Sequence, residues 1–97
     1  MYLEIVSPEA TLFSSEVDSV VVPGVNGEFE MLTDHAPIVS ILKEGTIRIN
    51  THTQSHIVFD ELHADVIPHN DDKKVLTVNI NSGTIEMKDN KLIILAD

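Results

Sequence analysis

His52, His56, His63 and His69 crowd into the stretch between positions 52 and 69, and neutral imidazole is a common zinc ligand. Spacing argues against a metal centre. Read as a strand, residues 52 to 59 carry His52 and His56 on one face but roughly 13 Å apart, beyond a shared coordination shell. A metal site would need Asp60 or Glu61 folded across a hairpin, so the four read as exposed loop histidines. Glu28 and Glu30 share a strand face about 7 Å apart, a separation some glycosidases use. They alternate with Phe29 and Met31, however, as the solvated face of any amphipathic strand does. Ser14, Ser15, Ser40, Ser55 and Ser82 lie in no Gly-x-Ser-x-Gly elbow, and the chain has no cysteine nucleophile. Gly24 and Gly27 frame a turn with no following Lys-Ser/Thr and no helix to aim at a phosphate. No catalytic residue, cofactor site or metal site is expected.

The elements that would position these residues are strands. In Val75-Leu76-Thr77-Val78-Asn79-Ile80-Asn81, the residues Leu76, Val78 and Ile80 point one way while Thr77, Asn79 and Asn81 point the other. Gly45 to Asn50 repeats the pattern with Ile47 and Ile49 inward, and Ile85 and Met87 repeat it around Glu86. Further strands are predicted over 2–6, 15–23, 28–32, 37–42, 56–60 and 91–95. Ser7-Pro8, Pro23-Gly24, Asn26-Gly27, Glu44-Gly45, Ser82-Gly83 and Asp89-Asn90 separate them with turn chemistry. Asn26-Gly27, between Val20-Val21-Val22 and Phe29-Glu30-Met31, is the strongest hairpin signal. The pattern predicts an all-β fold, an antiparallel β-sandwich or barrel, in one domain spanning residues 1–97. Residues 51–72 are the least regular stretch, and an extra hairpin with a mobile tip is expected there.

Length and charge narrow the function classes. The 97 residues include no cysteine, so packing rather than disulfides must hold the domain together. Lys and Arg total 6 against 16 Asp and Glu, a formal charge of −10, and a phosphate-rich partner such as nucleic acid would be repelled. The first 42 residues carry Glu4, Glu9, Glu16, Asp18, Glu28, Glu30 and Asp34 with no Lys or Arg before Lys43. No signal-peptide pattern opens the chain, and no apolar run approaches the length of a membrane span, so a soluble protein on the cytoplasmic side is expected.

One series of segments carries a resemblance. Leu3-Glu4-Ile5-Val6-Ser7-Pro8-Glu9, Phe13-Ser14, Val20-Val21-Val22-Pro23-Gly24-Val25-Asn26-Gly27-Glu28, His35-Ala36-Pro37-Ile38-Val39 and Gly45-Thr46-Ile47-Arg48-Ile49 follow one another in the order and spacing of the ATP synthase epsilon chain's N-terminal domain. The resemblance resumes at Ser82-Gly83-Thr84-Ile85-Glu86-Met87 and Asn90-Lys91-Leu92-Ile93-Ile94-Leu95-Ala96-Asp97. The Gly-x-x-Gly-Glu turn followed by His-Ala-Pro is its most specific part. What this resemblance implies is a sandwich of two five-stranded antiparallel sheets, about ten short strands, in the rotor stalk of an F-type synthase. One face would dock on the gamma subunit and loops at one end would rest on the c ring. Such a subunit is non-catalytic, without cofactor, on the cytoplasmic face of the inner membrane, and touches the membrane only through the complex. The isolated domain is expected to be monomeric.

Carried over residue by residue, the resemblance places Asn26, Gly27, Glu28, Asp34 and His35 against the ring. His35 has a second reading, as a cap of the turn before Pro37. Leu12 and Phe13 form a gamma-binding apolar patch if exposed, and ordinary core if not. Two departures stand out. The family's usual Gly-x-x-Pro-Gly-His becomes Glu30-Met31-Leu32-Thr33-Asp34-His35, and residues 51–72 exceed the usual connection by roughly twenty residues. The family commonly continues into two α-helices after the Leu-Ala-Asp at which this sequence ends, so no helical hairpin is expected here. The rival readings are a free-standing β-sandwich that binds a small ligand, and a small metal enzyme built on the 52–69 histidines.

Overall fold

Alternating residues decide which side of each strand is dry, and the strands then find partners that share that side. The computed structural model describes residues 1–51, 66–68 and 75–97. Among them run β1 (Tyr2–Val6), β2 (Thr11–Gly24), β3 (Gly27–Leu32), β4 (Ile38–Leu42), β5 (Gly45–Thr51), β6 (Val66–Pro68), β7 (Val75–Ile80), β8 (Gly83–Lys88) and β9 (Lys91–Ala96). No described residue is helical.

The strands make two layers that share β2. One layer runs β4-β8-β9-β1 and ends on the first half of β2; the other runs β3, the second half of β2, β5, β7 and β6. The fourteen-residue β2 can serve both because its register against β5 shifts between Val17 and Ser19. Phe13 and Val17 are buried before the shift, Val20 and Val22 after it, and Asp18 points to solvent. A bulge of this kind inverts the parity of the inward residues, so the strand bends from one layer to the next without exposing its apolar face.

Leu3 and Ile5 of β1, Ile85 and Met87 of β8, and Leu92 and Ile94 of β9 face Ile47, Ile49, Leu76, Val78 and Met31 in one core cluster. The inward sets read from the alternation of β5, β7 and β8 are the buried ones. All-β sandwich architecture is therefore as expected, with nine strands among the described residues and β2 counted once. One pairing differs from an all-antiparallel arrangement: β1 runs parallel to β9, with Leu3 beside Leu92 and Ile5 beside Ile94. Period-two patterning fixes a strand's dry face and says nothing about its partner or direction. The predicted strand over 56–60, and His52, His56, His63 and His69, lie outside the described residues.

Candidate functional site

The Asn26-Gly27 signal does mark a hairpin. Gly24 pairs with Gly27 across the turn residues Val25 and Asn26, and Gly27 takes the positive φ of 127° that follows such a turn. Val25, Asn26 and Glu28 are exposed at its tip, where an open groove runs from the turn past half-buried Phe29 to Ile38 and Ser40. The Glu28 carboxylate is not free of partners: Arg48 Nη2 on β5 donates to its Oε1 at 2.9 Å, both side chains about half exposed.

Asp34 and His35 sit elsewhere. The length of β3, whose first residue Gly27 closes the Asn26-Gly27 turn, separates them from it by roughly 20 Å of extended chain, so the expected ring-contacting residues fall at opposite ends of that strand. At this second end, the His35 N–H donates to the Leu32 carbonyl at 3.1 Å and closes the turn. The His35 imidazole Nδ1–H donates to the Ala36 carbonyl at 2.7 Å. Asp34 adopts φ 64°, and its N–H donates to Asn90 Oδ1 at 2.9 Å. Asn90 itself belongs to the β8–β9 turn, where Asp89 and Asn90 both take positive φ in the manner of a type I′ turn.

Leu12 and Phe13 are core residues, 7% and 4% exposed. They leave no apolar patch on the surface: Phe13 stands beside Ile5 on the neighbouring strand, and Leu12, Phe13 and Ile5 all belong to the core cluster. Of the five large aliphatics exposed among the described residues, Val25 in the β2–β3 turn and Leu32 at the end of β3 are about half exposed, and three are on the outer face of the β4-β8-β9-β1 layer, where Val39 is 75% exposed, Ile41 61% and Leu95 54%. Cross-strand register arranges this face in rows. The first reads Ile41, Thr84, Leu95, Val6; the second Val39, Glu86, Ile93, Glu4; and in the third Lys88, Lys91 and Tyr2 stand abreast. The opposite outer face presents Glu28, Glu30, Thr46, Arg48, Asn50 and Asn79, with Leu32 the large exposed aliphatic at its edge. Sequence reasoning passed over the first face although a signal for it exists. Ile38-Val39-Ser40-Ile41-Leu42 and Leu92-Ile93-Ile94-Leu95-Ala96 are apolar in both parities, whereas a strand with one wet face alternates.

Among the described residues no group of three or more His, Cys, Asp or Glu could hold a metal ion, and no helix is long and apolar enough to cross a membrane. Chemically, the described surface offers shape, apolar area and charge. The class so defined is a β-sandwich with one partly apolar outer face.

Comparison with known proteins narrows this. A family model described as the beta-sandwich domain of the ATP synthase delta/epsilon chain matches residues 1–60. The chain belongs to that family. It is 35% identical over 95 residues to an ATP synthase epsilon chain of Desulforamulus reducens, covering 98% of this chain and 57% of that one. It is 36% identical over 97 residues to one of Campylobacter curvus, covering 100% and 60%. The chain thus spans less than two thirds of these relatives' length. Its fold is similar to a chain in the central stalk and c ring of the Tetrahymena thermophila mitochondrial ATP synthase, with TM-score 0.69 and 12% identity over 99% of this chain and 62% of that one.

Proposed function

We propose that this protein is a non-catalytic rotor subunit of a proton-translocating F-type ATP synthase, linking the gamma subunit to the c ring so that proton flow drives ATP synthesis. The observation that carries the reading is family membership over residues 1–60, extended by epsilon chains that align along nearly the whole sequence. Its place is peripheral, on the cytoplasmic face of the inner membrane, attached through the complex.

The task suits the architecture. A subunit that transmits torque must resist shear, and a sandwich whose longest strand belongs to both layers cannot slide one layer over the other without breaking β2. The ring contact in this reading is the Asn26-Gly27-Glu28 turn, where the exposed Glu28 carboxylate suits loops that are polar and partly basic. Asp34 and His35, a strand length away, take the structural role of joining two turns.

Membranes from cells depleted of the chain test this. ATP hydrolysis should become uncoupled from proton pumping and recover its coupling when the chain is supplied again. Pumping that is the same with and without the chain contradicts the proposal.

A further inference from the structure

Six asparagines lie in the chain, and Asn26 alone is followed by glycine. The following residue matters because its backbone nitrogen is the group placed to attack an asparagine carboxamide. A Cβ on that residue crowds the nitrogen and restricts the rotation that the attack needs, and glycine has none. The surroundings are open as well: a Cβ placed on Gly27 would meet nothing within 4 Å.

Asn26 also differs from other asparagines in that nothing holds its side chain. Asn79 Oδ1 accepts from Thr46 Oγ1 at 2.7 Å and Asn90 Oδ1 from the Asp34 N–H at 2.9 Å, so each of those carboxamides must first give up a bond. Asn26 is exposed at the tip of the β2–β3 hairpin, and among the described residues its carboxamide has no hydrogen-bond partner. The turn is closed by the Gly24–Gly27 pair at the very end of the ladder, where opening one pair turns the Gly27 nitrogen free without disturbing the core.

We propose that Asn26 is a site of spontaneous covalent modification, at which deamidation converts the hairpin tip to aspartate and isoaspartate. The Gly27 nitrogen forms a bond to Asn26 Cγ, the Cγ–Nδ2 bond breaks, and Nδ2 leaves as ammonia with the Gly27 amide proton. A five-membered cyclic imide results. Water then opens it, placing hydroxyl on one ring carbonyl carbon and a proton on the ring nitrogen. Opening at Cγ restores an ordinary peptide bond and leaves aspartate; opening at the backbone carbonyl carbon leaves isoaspartate, with the main chain running through Cγ. Water is the one co-reactant and nothing is oxidised or reduced.

Either product puts a carboxylate two positions from Glu28. Isoaspartate also adds an atom to the main chain of a turn whose length fixes the Gly24–Gly27 pair, so the end of the hairpin loosens while the core strands keep their partners. In the rotor reading this turn rests on the ring, and the modification weakens that contact with time; this consequence rests on that reading, whereas the chemistry does not.

Lys43 is the first tryptic site, so fragment 1–43 holds Asn26 as its sole asparagine, and fragment 75–88 holds Asn79 and Asn81. The folded chain is held in mildly alkaline buffer, digested at intervals and weighed by mass spectrometry, with isoaspartyl methyltransferase and a labelled methyl donor as the probe for isoaspartate. Fragment 1–43 is expected to gain one mass unit, to take up the methyl label, and to convert at least about 5-fold faster than fragment 75–88. Asn26→Gln, which would need a six-membered ring, is expected to remove both the gain and the label. Equal conversion of the two fragments, or conversion of fragment 1–43 only once the chain is unfolded in urea, overturns the proposal. Converted and unconverted chains, separated by charge, are added to membranes from cells depleted of the chain, where the converted form is expected to assemble less. Equal assembly overturns the ring-contact role of the turn and leaves the modification standing; failure of the unconverted chain to assemble overturns the rotor reading alone.

Discussion

The Asp34 N–H and the Asn90 carboxamide meet at 2.9 Å, joining the β3–β4 turn to the β8–β9 turn although 56 positions separate them in sequence. Asn90 also holds φ 62°, and its backbone carbonyl accepts from Tyr2 N–H at 3.1 Å. One residue thus carries two separable contributions, a left-handed turn and a long-range tether. Asn90→Gly keeps the turn and should cost about 0.5–1.5 kcal/mol for the lost bond. Asn90→Ala loses both and should cost about 1–2 kcal/mol more. Thermal unfolding of the two variants checks the order, and equal melting temperatures would contradict it.

Gly83 and Gly27 are needed for different reasons. A Cβ on Gly83 would stand 2.5 Å from the Leu95 carbonyl oxygen, a backbone atom that can move only with β9. A Cβ on Gly27 would meet nothing within 4 Å, but the φ of 127° is strained for any other residue. Gly83→Ala should therefore distort the β8–β9 pairing, and Gly27→Ala should cost about 1–3 kcal/mol through backbone strain alone. Amide exchange distinguishes them: loss of protection in β9 is expected for Gly83→Ala and loss confined to the β2–β3 hairpin for Gly27→Ala.

Phe13→Ala is expected to act on stability. Its ring is buried in the core, so truncation should cost about 3–5 kcal/mol in denaturant unfolding. Val39→Ala, at an exposed site, should stay within about 0.5 kcal/mol of the unaltered chain. A stable Phe13→Ala domain would contradict the burial described here.

Reversing charge at Glu28 separates docking from folding. Its ion pair with Arg48 is solvated on both sides, and such pairs contribute about 0–1 kcal/mol. Glu28→Lys should leave the melting temperature nearly unchanged while weakening assembly with the ring. An equal fall in both would mean that Glu28 holds the fold rather than a partner.

Much of this architecture is legible in the sequence, for identifiable reasons. The strand over 2–6 and the strand starting at Val75 could be located because a single wet face imposes alternation, and the Asn26-Gly27 hairpin because a positive φ was needed there. Thr11 to Ser14 carries no strand signal, since adjacent Leu12 and Phe13, both buried, break the alternation. The parallel β1–β9 pair and the bulge that lets β2 change layers depend on contacts far apart in sequence, which no local pattern encodes. The candidate site was legible only in part. Asn26 to Glu28 lie on an exposed turn, but Asp34 and His35 prove distant from it, because the intervening β3 is extended. The apolar outer face is hidden in the sequence for the opposite reason: the largely apolar strands β4 and β9 look like ordinary core until the layers show which side is open.

The rotor assignment is tested most directly by recovering the tagged chain from gently solubilised native membranes and identifying its companions by mass spectrometry. The account predicts gamma and c subunits at levels comparable to the chain itself. Recovery of neither above an untagged control would contradict it.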